Sequence, residues 1–86
     1  MPGPNIDLTI IVNGQPTVVR ANPNAPLRSV VERALAQTNT TGQPPENWEL
    51  NFNGAVLDLT AKIETFAFPK DATLFLNLKA GIGGVA

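Results

Sequence analysis

The chain has 86 residues and a mass of 9.1 kDa, which is the size of one small domain. Hydrophobic residues make up 43% and charged residues 15%, a balance typical of a folded protein rather than a disordered one. The formal net charge of −1, with six Lys and Arg residues, argues against a nucleic-acid-binding domain and against a polybasic membrane-surface patch.

The residue types that are missing narrow the class of function. The chain has no Cys, no His and no Tyr, and its single serine is Ser29. A disulfide, a thiol nucleophile, the usual general base and the commonest metal ligands are therefore all absent. The seven carboxylates form no close cluster in the sequence. We expect a protein that is not an enzyme and that carries no cofactor or metal of its own.

The amino terminus carries no targeting signal in the sequence. The first five residues lack the basic and apolar parts of a signal peptide, and no apolar run approaches the roughly 20 residues that span a bilayer. We therefore expect a cytoplasmic protein, with neither a membrane nor a nucleic acid among its partners.

Two alternating segments near the start predict a β-hairpin. Residues 6–12 place an apolar side chain at every second position, the period of a half-buried strand. Asn13-Gly14 follows, and this pair suits the type I′ turn because both central residues of that turn need positive φ. Residues 17–21 form the returning strand. Pro16 at its start has no N–H to donate, which favours a sheet edge.

The period then changes to that of an α-helix. Asn24 is the best candidate for the N-cap, and Pro26 is tolerated in a first helical turn. Apolar residues recur every three or four positions over residues 27–35 and form one stripe. Asn39 or Gly42 is suited to the left-handed position that ends a helix. The sequence predicts one long helix.

Three further strands are predicted in the second half. Residues 48–52 alternate, Asn53-Gly54 makes a second tight turn, and residues 55–58 give a short strand. Residues 59–71 are predicted to form an irregular loop held to the core by Ile63, Phe66 and Phe68. The last strand covers residues 73–79, with Leu74, Leu76 and Leu78 on one side and Phe75 and Asn77 on the other.

This order of elements predicts an α+β fold. One apolar helical stripe and one apolar sheet face satisfy each other in two layers. A hairpin followed by a helical crossover favours mixed pairing, with the last strand beside the first. That arrangement is the β-grasp, a mixed sheet of four to five strands on one α-helix. We expect a flexible extension over residues 1–5, the domain over 6–79 and a flexible tail over 80–86.

At this point the residues resemble those of the ubiquitin family. Pro44-Pro45-Glu46, then Leu50-Asn51-Phe52-Asn53-Gly54 and Leu57-Asp58, are similar to the family's stretch from its proline pair through its third strand and turn. Gly83-Gly84 near the end resembles the family's diglycine tail. The resemblance covers residues 6–84 and is strongest to the ubiquitin-like modifiers of bacteria.

The resemblance implies conjugation to other proteins. A processing peptidase would cut between Gly84 and Val85, and an activating enzyme would adenylate the Gly84 carboxylate with ATP. A carrier enzyme would pass the acyl group to an amine on a target protein, and a deconjugating peptidase would release it. Glycine at 83 and 84 suits entry into a narrow active site because it has no Cβ.

Two positions depart from the family pattern. The family's receptor-binding patch has an isoleucine on the third strand and a valine on the last, where this chain has Asn51 and Asn77. Amides do not supply the apolar hot spot that ubiquitin receptors bury. We therefore expect Asn51 and Asn77 to mark a different partner surface, which ordinary ubiquitin-binding modules ignore.

Three alternatives stay open from the sequence. Lys70 matches a chain-forming lysine of the family, and chains through it compete with a simple solvated lysine. A β-grasp sulfur carrier, which ends as a thiocarboxylate, is a second function, although its diglycine normally closes the chain and Val85-Ala86 follows here. A ubiquitin-like interaction module that is never conjugated is a third.

Overall fold

In a computed structural model that describes residues 5–40 and 42–79, one α-helix packs on five strands. The expected terminal segments therefore fall almost wholly outside the described residues. The strands and the helix are β1 (Ile6–Val12), β2 (Gln15–Ala21), α1 (Arg28–Gln37), β3 (Trp48–Phe52), β4 (Ala55–Val56) and β5 (Thr73–Leu78). Two short 3₁₀ turns, Pro45–Asn47 and Ile63–Phe66, complete the regular structure.

The sheet has the order β2-β1-β5-β3-β4. β1 pairs antiparallel with β2 and parallel with β5, and β5 pairs antiparallel with β3. The predicted mixed pairing, with the last strand beside the first, is confirmed. So is the predicted α+β, ubiquitin-like β-grasp fold, and the number of strands is five.

Both predicted Asn-Gly turns are confirmed. Asn13 and Gly14 have φ of 50° and 86°, and Asn53 and Gly54 have φ of 53° and 82°. Each pair has positive φ at both central residues, as a two-residue type I′ hairpin requires. The turns fix the register of β1 on β2 and of β3 on β4, and this register decides which side chains of each pair share a face of the sheet.

The core lies between the helix and one face of the sheet. The helical stripe contributes Val30, Val31, Ala34 and Leu35, all buried. The facing strands contribute the side chains of alternate residues, and the fully buried ones on β1, β3 and β5 are Leu8, Ile10, Val12, Trp48, Leu50, Leu74 and Leu76. Because the helical stripe packs on one face of β1, β2, β3 and β5, the opposite face of the sheet is left to solvent.

The segment between β4 and β5 is held to the core as expected. Ile63 is fully buried, and Phe66 and Phe68 pack against the core from its edge. The rings of Phe66 and Phe68 stack with centroids 5.3 Å apart, and Phe68 meets Phe52 edge-on at 5.2 Å. Both arrangements are favourable for aromatic pairs.

The two ends of the helix give different outcomes. The prediction of Asn24 as N-cap is wrong: the helix begins at Arg28, its N-cap is Leu27, and no side chain caps it. The predicted left-handed residue at the other end is Asn39, with φ of 54°. Its N–H donates to Ala36 O and that of Thr40 donates to Leu35 O, which is the Schellman pattern.

Candidate functional site

The described residues end at Lys79, directly after the last strand. Lys79 follows β5, and its backbone N–H donates to the carbonyl of Asn47 at 2.9 Å, next to the start of β3. This bond holds Lys79 beside the residue that precedes β3. The proposed conjugation residues Gly83 and Gly84 and the proposed cleavage site before Val85 lie outside the described residues.

Asn51 and Asn77 lie on the open face of the sheet, but they are not cross-strand partners. Asn51 pairs with Phe75 and with Val56, while Asn77 pairs with Glu49. Asn77 is exposed and Asn51 is half-buried. The structure therefore places the two amides in neighbouring rows of one solvent-facing surface.

Sequence reasoning missed an apolar row on that same face. The register aligns one residue from each strand, and the row consists of Pro16, Ile11, Phe75, Asn51 and Val56. Phe75 is 50% exposed and Val56 is 61% exposed, which is unusual for side chains of their size. The alternation of the last strand already put Phe75 on this side. What the sequence did not reveal is the register that aligns the five residues.

Lys70 lies in the exposed turn before β5. The three ion pairs found between described residues do not include it. Its position is compatible with use as an acceptor amine, and equally with a solvated lysine.

A groove opens beside the point where the tail begins. It has a volume of about 570 Å³ and lies between the start of the helix, the start of β3 and the loop after β4. We call it the tail-root groove, and its lining residues are Pro26, Arg28, Glu46, Trp48, Glu49, Val56, Leu57, Asp58, Leu59, Thr60 and Lys79.

Charged side chains surround this groove. Nη2 of Arg28 lies 3.1 Å from Oε1 of Glu46, and Nε of Arg28 lies 3.2 Å from Oε2 of Glu32. All three side chains are at least half exposed, so each ion pair contributes at most about 1 kcal/mol to stability. Their main effect is to hold Glu46 over the helix start, at the mouth of the groove.

Thr60 makes two hydrogen bonds to the carboxylate of Asp58. Its Oδ1 accepts a hydrogen bond from Oγ1 of Thr60 at 2.7 Å and a second from the backbone N–H of Thr60 at 2.9 Å. Both bonds favour the charged carboxylate and hold the pKa of Asp58 below its ordinary value of 3.8. The carboxylate is therefore charged and fixed at the groove wall at neutral pH.

Trp48 forms part of the groove from the core side. The residue is 1% exposed and belongs to the core cluster between the helix and the sheet. Its Nε1 is the one buried side-chain nitrogen or oxygen within residues 5–40 and 42–79 that has no hydrogen-bond partner. An unsatisfied buried donor costs about 1–3 kcal/mol.

Within the described ranges, His, Cys, Asp and Glu form no group of three that would hold a metal ion. Among the same residues, no helix is long and apolar enough to cross a bilayer. The features available for recognition are two surfaces, the apolar row and the tail-root groove, together with the end of β5 at Lys79.

Solved structures with the same fold are ubiquitins and ubiquitin-like domains. The ubiquitin of Caldiarchaeum subterraneum has a TM-score of 0.73 at 22% identity, over 93% of this chain and 99% of that one. A designed protein based on ubiquitin has a TM-score of 0.77 at 24% identity, over 96% and 100%. A ubiquitin-like domain of Arabidopsis thaliana gives 0.76 at 14% identity, over 98% and 87%. These likenesses establish the ubiquitin-like fold.

One relative by sequence is a bacterial protein. The uncharacterized protein y4jI of Sinorhizobium fredii is 50% identical over 80 residues, which is 92% of this chain. The chain spans 62% of that relative's length. A family model described as a protein of unknown function, DUF2604, matches residues 2–84, which includes the domain and the diglycine. The chain therefore has a ubiquitin-like fold and belongs to the DUF2604 family.

Proposed function

We propose that this chain is a protein modifier, made as a precursor, cut after Gly84 and joined through the Gly84 carboxylate to amines on target proteins. One observation carries the proposal. β5 lies between β1 and β3 in the sheet and runs directly to Lys79, from which the diglycine follows within five residues. Because β5 is hydrogen-bonded on both sides, the domain stays folded while other proteins bind and process the segment that follows it.

The reach of the tail supports this role. Six residues, 79–84, lie between Leu78 and the proposed new carboxyl end. Fully extended, they span at most about 20 Å, at 3.3–3.6 Å per residue. That length allows the carboxylate to enter a deep active site while the folded body stays outside.

The proposed chemistry proceeds in three steps: adenylation, thioester formation and amide formation. An oxygen of the Gly84 carboxylate attacks the α-phosphorus of ATP in the activating enzyme, and pyrophosphate leaves. A cysteine thiolate of an enzyme then attacks the acyl adenylate and AMP leaves, which gives a thioester. An amine of the target, such as a lysine, attacks the thioester and the thiol leaves, which gives an amide. The partner enzymes supply all the catalytic groups, and the activating enzyme binds the ATP.

The partners follow from these steps. They are a peptidase that removes Val85-Ala86, an activating enzyme, a carrier enzyme, the target proteins and a peptidase that reverses the bond. The modifier itself contributes recognition surfaces and the tail, and it needs no cofactor. Because ATP and lysine-bearing targets are abundant there, we place the reaction in the cytoplasm.

A tryptic remnant tests the proposal in cells of the source organism. Trypsin cuts after Lys79, so a conjugated target would retain residues 80–84 on a lysine amine, and mass spectrometry identifies that branched peptide. We expect the remnant on several proteins. A matched control lacks residues 83–86, and cells expressing it should yield no such peptide.

Other outcomes separate the competing functions. Recovery of the unbranched chain with Val85-Ala86 intact, and no remnant on any protein, contradicts the modifier and favours an interaction module. Recovery of a chain that ends at Gly84 and is heavier by the difference between sulfur and oxygen favours the sulfur carrier. A remnant on Lys70 of this chain itself would show chain formation.

A further inference from the structure

The tail-root groove lies where any enzyme that handles the tail must come close. Lys79 lines the groove, and its N–H is held by Asn47 O at 2.9 Å. Gly84 is five residues further on, at most about 18 Å away along an extended chain. An enzyme that holds the Gly84 carboxylate in its active site therefore has its outer surface against this end of the domain.

The groove has the composition of a protein-binding surface. Trp48, Leu57 and Leu59 line it with apolar atoms, and charged side chains surround it. An apolar centre with a polar rim is the usual anatomy of a protein interface. With a volume of about 570 Å³, the groove is large enough for one or two side chains of a partner.

Its charges indicate what the partner carries. Arg28 and Glu46 neutralise each other in an ion pair 3.1 Å long. The remaining charges on the lining are the carboxylates of Glu49 and Asp58 and the ammonium of Lys79. The groove therefore has an excess of one negative charge, which complements an apolar side chain flanked by a Lys or Arg.

We propose that the tail-root groove is the docking site for the adenylating enzyme, which inserts a loop that bears an apolar side chain next to a basic one. The inference rests on the proposed function, because it needs an enzyme that acts on Gly84. It assigns that enzyme to the groove, which shares Val56 with the apolar row and Glu49 with the row of Asn77, and not to the rest of the open sheet face.

Trp48, which lines the groove, has an indole N–H without a hydrogen-bond partner among the described residues. A docked loop brings backbone carbonyls, which are the acceptors that Nε1 of Trp48 lacks among the described residues. This nitrogen exposes less than 1 Å² of surface. Docking therefore includes a small shift of the side chains that cover the indole, and Trp48 reports on it because the chain has one Trp.

Steady-state ATP–pyrophosphate exchange tests the site with three variants of the form that ends at Gly84. The probe is each adenylating enzyme purified from the source organism. Thr60→Phe fills the groove from an exposed position, Glu49→Lys reverses a rim charge, and Phe75→Thr alters the apolar row as the matched control. Thermal melts and amide NMR spectra confirm that each variant is folded.

We expect the two groove variants to raise the KM for the modifier by about tenfold or more and to leave kcat within about twofold, because they weaken binding alone. Phe75→Thr should leave both constants nearly unchanged. In the same titration, 5-fluorotryptophan at Trp48 should shift or broaden its single ¹⁹F signal with the wild-type chain and stay unchanged with Thr60→Phe.

Each other result overturns the inference in a distinct way. Normal exchange by both groove variants, or an unmoved ¹⁹F signal while wild type is turned over, removes the docking site and leaves the modifier function standing. A raised KM for Phe75→Thr alone places the enzyme on the sheet face instead. No exchange by wild type with any adenylating enzyme removes both the docking site and the modifier function.

Discussion

The backbone N–H of Arg28 donates to the carbonyl of Leu59 at 2.9 Å, so the loop after β4 caps the first turn of the helix. The neighbouring N–H of Leu27 donates to Ala61 O, also at 2.9 Å. The first amides of a helix have no partner inside it, and a polar side chain usually accepts from them. Here a distant backbone segment does so, and the same segment forms one wall of the tail-root groove.

This capping arrangement predicts that Asn24 is dispensable. Asn24→Ala should change the free energy of unfolding by less than about 0.5 kcal/mol, because no helix amide bonds to its side chain. Asn22→Ala is the matched comparison and should cost about 1 kcal/mol, since Oδ1 of Asn22 accepts from the N–H of Asn24 at 2.9 Å. Urea denaturation measures both. A loss above about 1 kcal/mol for Asn24→Ala would show that its side chain caps the helix in solution.

Local signals in the sequence predicted much of the fold. The two Asn-Gly pairs placed both hairpins because the positive φ that each turn requires is a property of the pair itself. The switch from alternate to helical spacing located the strands and the helix, and Asn39 was one of the two residues predicted for the left-handed position at the helix end.

The remaining features depend on contacts between distant residues. The cap from Leu59 and Ala61 requires the loop to lie against the helix, which no local pattern encodes. The apolar row requires the register of β1 on β5, for instance Ile11 opposite Phe75, and that pairing joins opposite ends of the chain. The groove forms where the start of the helix, the start of β3 and the loop after β4 come together. No pattern within one of these segments indicates a site there.

Thr60 should control the ionisation of Asp58. Thr60→Ala removes the Oγ1 donor and keeps the backbone donor, so the pKa of Asp58 should rise part of the way towards 3.8. Carboxyl ¹³C NMR titration follows this directly. An unchanged pKa of Asp58 in Thr60→Ala would mean that the hydroxyl does not bond the carboxylate in solution.

The same bond gives a pH dependence of stability with a defined sign. Because the pKa of Asp58 is lowered in the folded state, its contribution is present above the unfolded value and is lost as the pH falls through the folded pKa. Wild type should therefore be more stable than Thr60→Ala near neutral pH, and that difference should shrink below pH 3.8. Urea midpoints across acidic pH measure it; a difference that grows on acidification would contradict the assignment.

Ubiquitin-binding modules that bury an apolar helix on the sheet face should bind the wild-type chain weakly, because Asn51 and Asn77 lie there. Burial of Asn51 and Asn77 under an apolar helix leaves amide groups unpaired, which opposes binding even though Phe75 is exposed nearby. The double variant Asn51→Ile with Asn77→Val should bind such a helix at least about tenfold more tightly than wild type. NMR shift titration gives both affinities.

A third substitution on the same face controls for simple added hydrophobicity. Thr73→Val places a β-branched apolar residue at an exposed position of β5 and should produce no such gain. Tight binding by wild type that Asn51→Ala or Asn77→Ala abolishes would show instead that the amides themselves are recognised.

The tail should be active only after the last two residues are removed. In the 86-residue chain the terminal carboxylate belongs to Ala86, two residues beyond Gly84, and two side chains with Cβ atoms precede the carboxyl group. An active site narrow enough to select glycine excludes them. The form that ends at Gly84 should therefore support ATP–pyrophosphate exchange at least about a hundredfold faster than the full chain, a difference of about 2.7 kcal/mol in transition-state stabilisation. A form that ends at Gly83 tests whether length matters as well as glycine, and it should also be slow. Equal exchange by the forms that end at Gly84 and Ala86 would mean that the two final residues are no block to activation, and the chain would then need no peptidase.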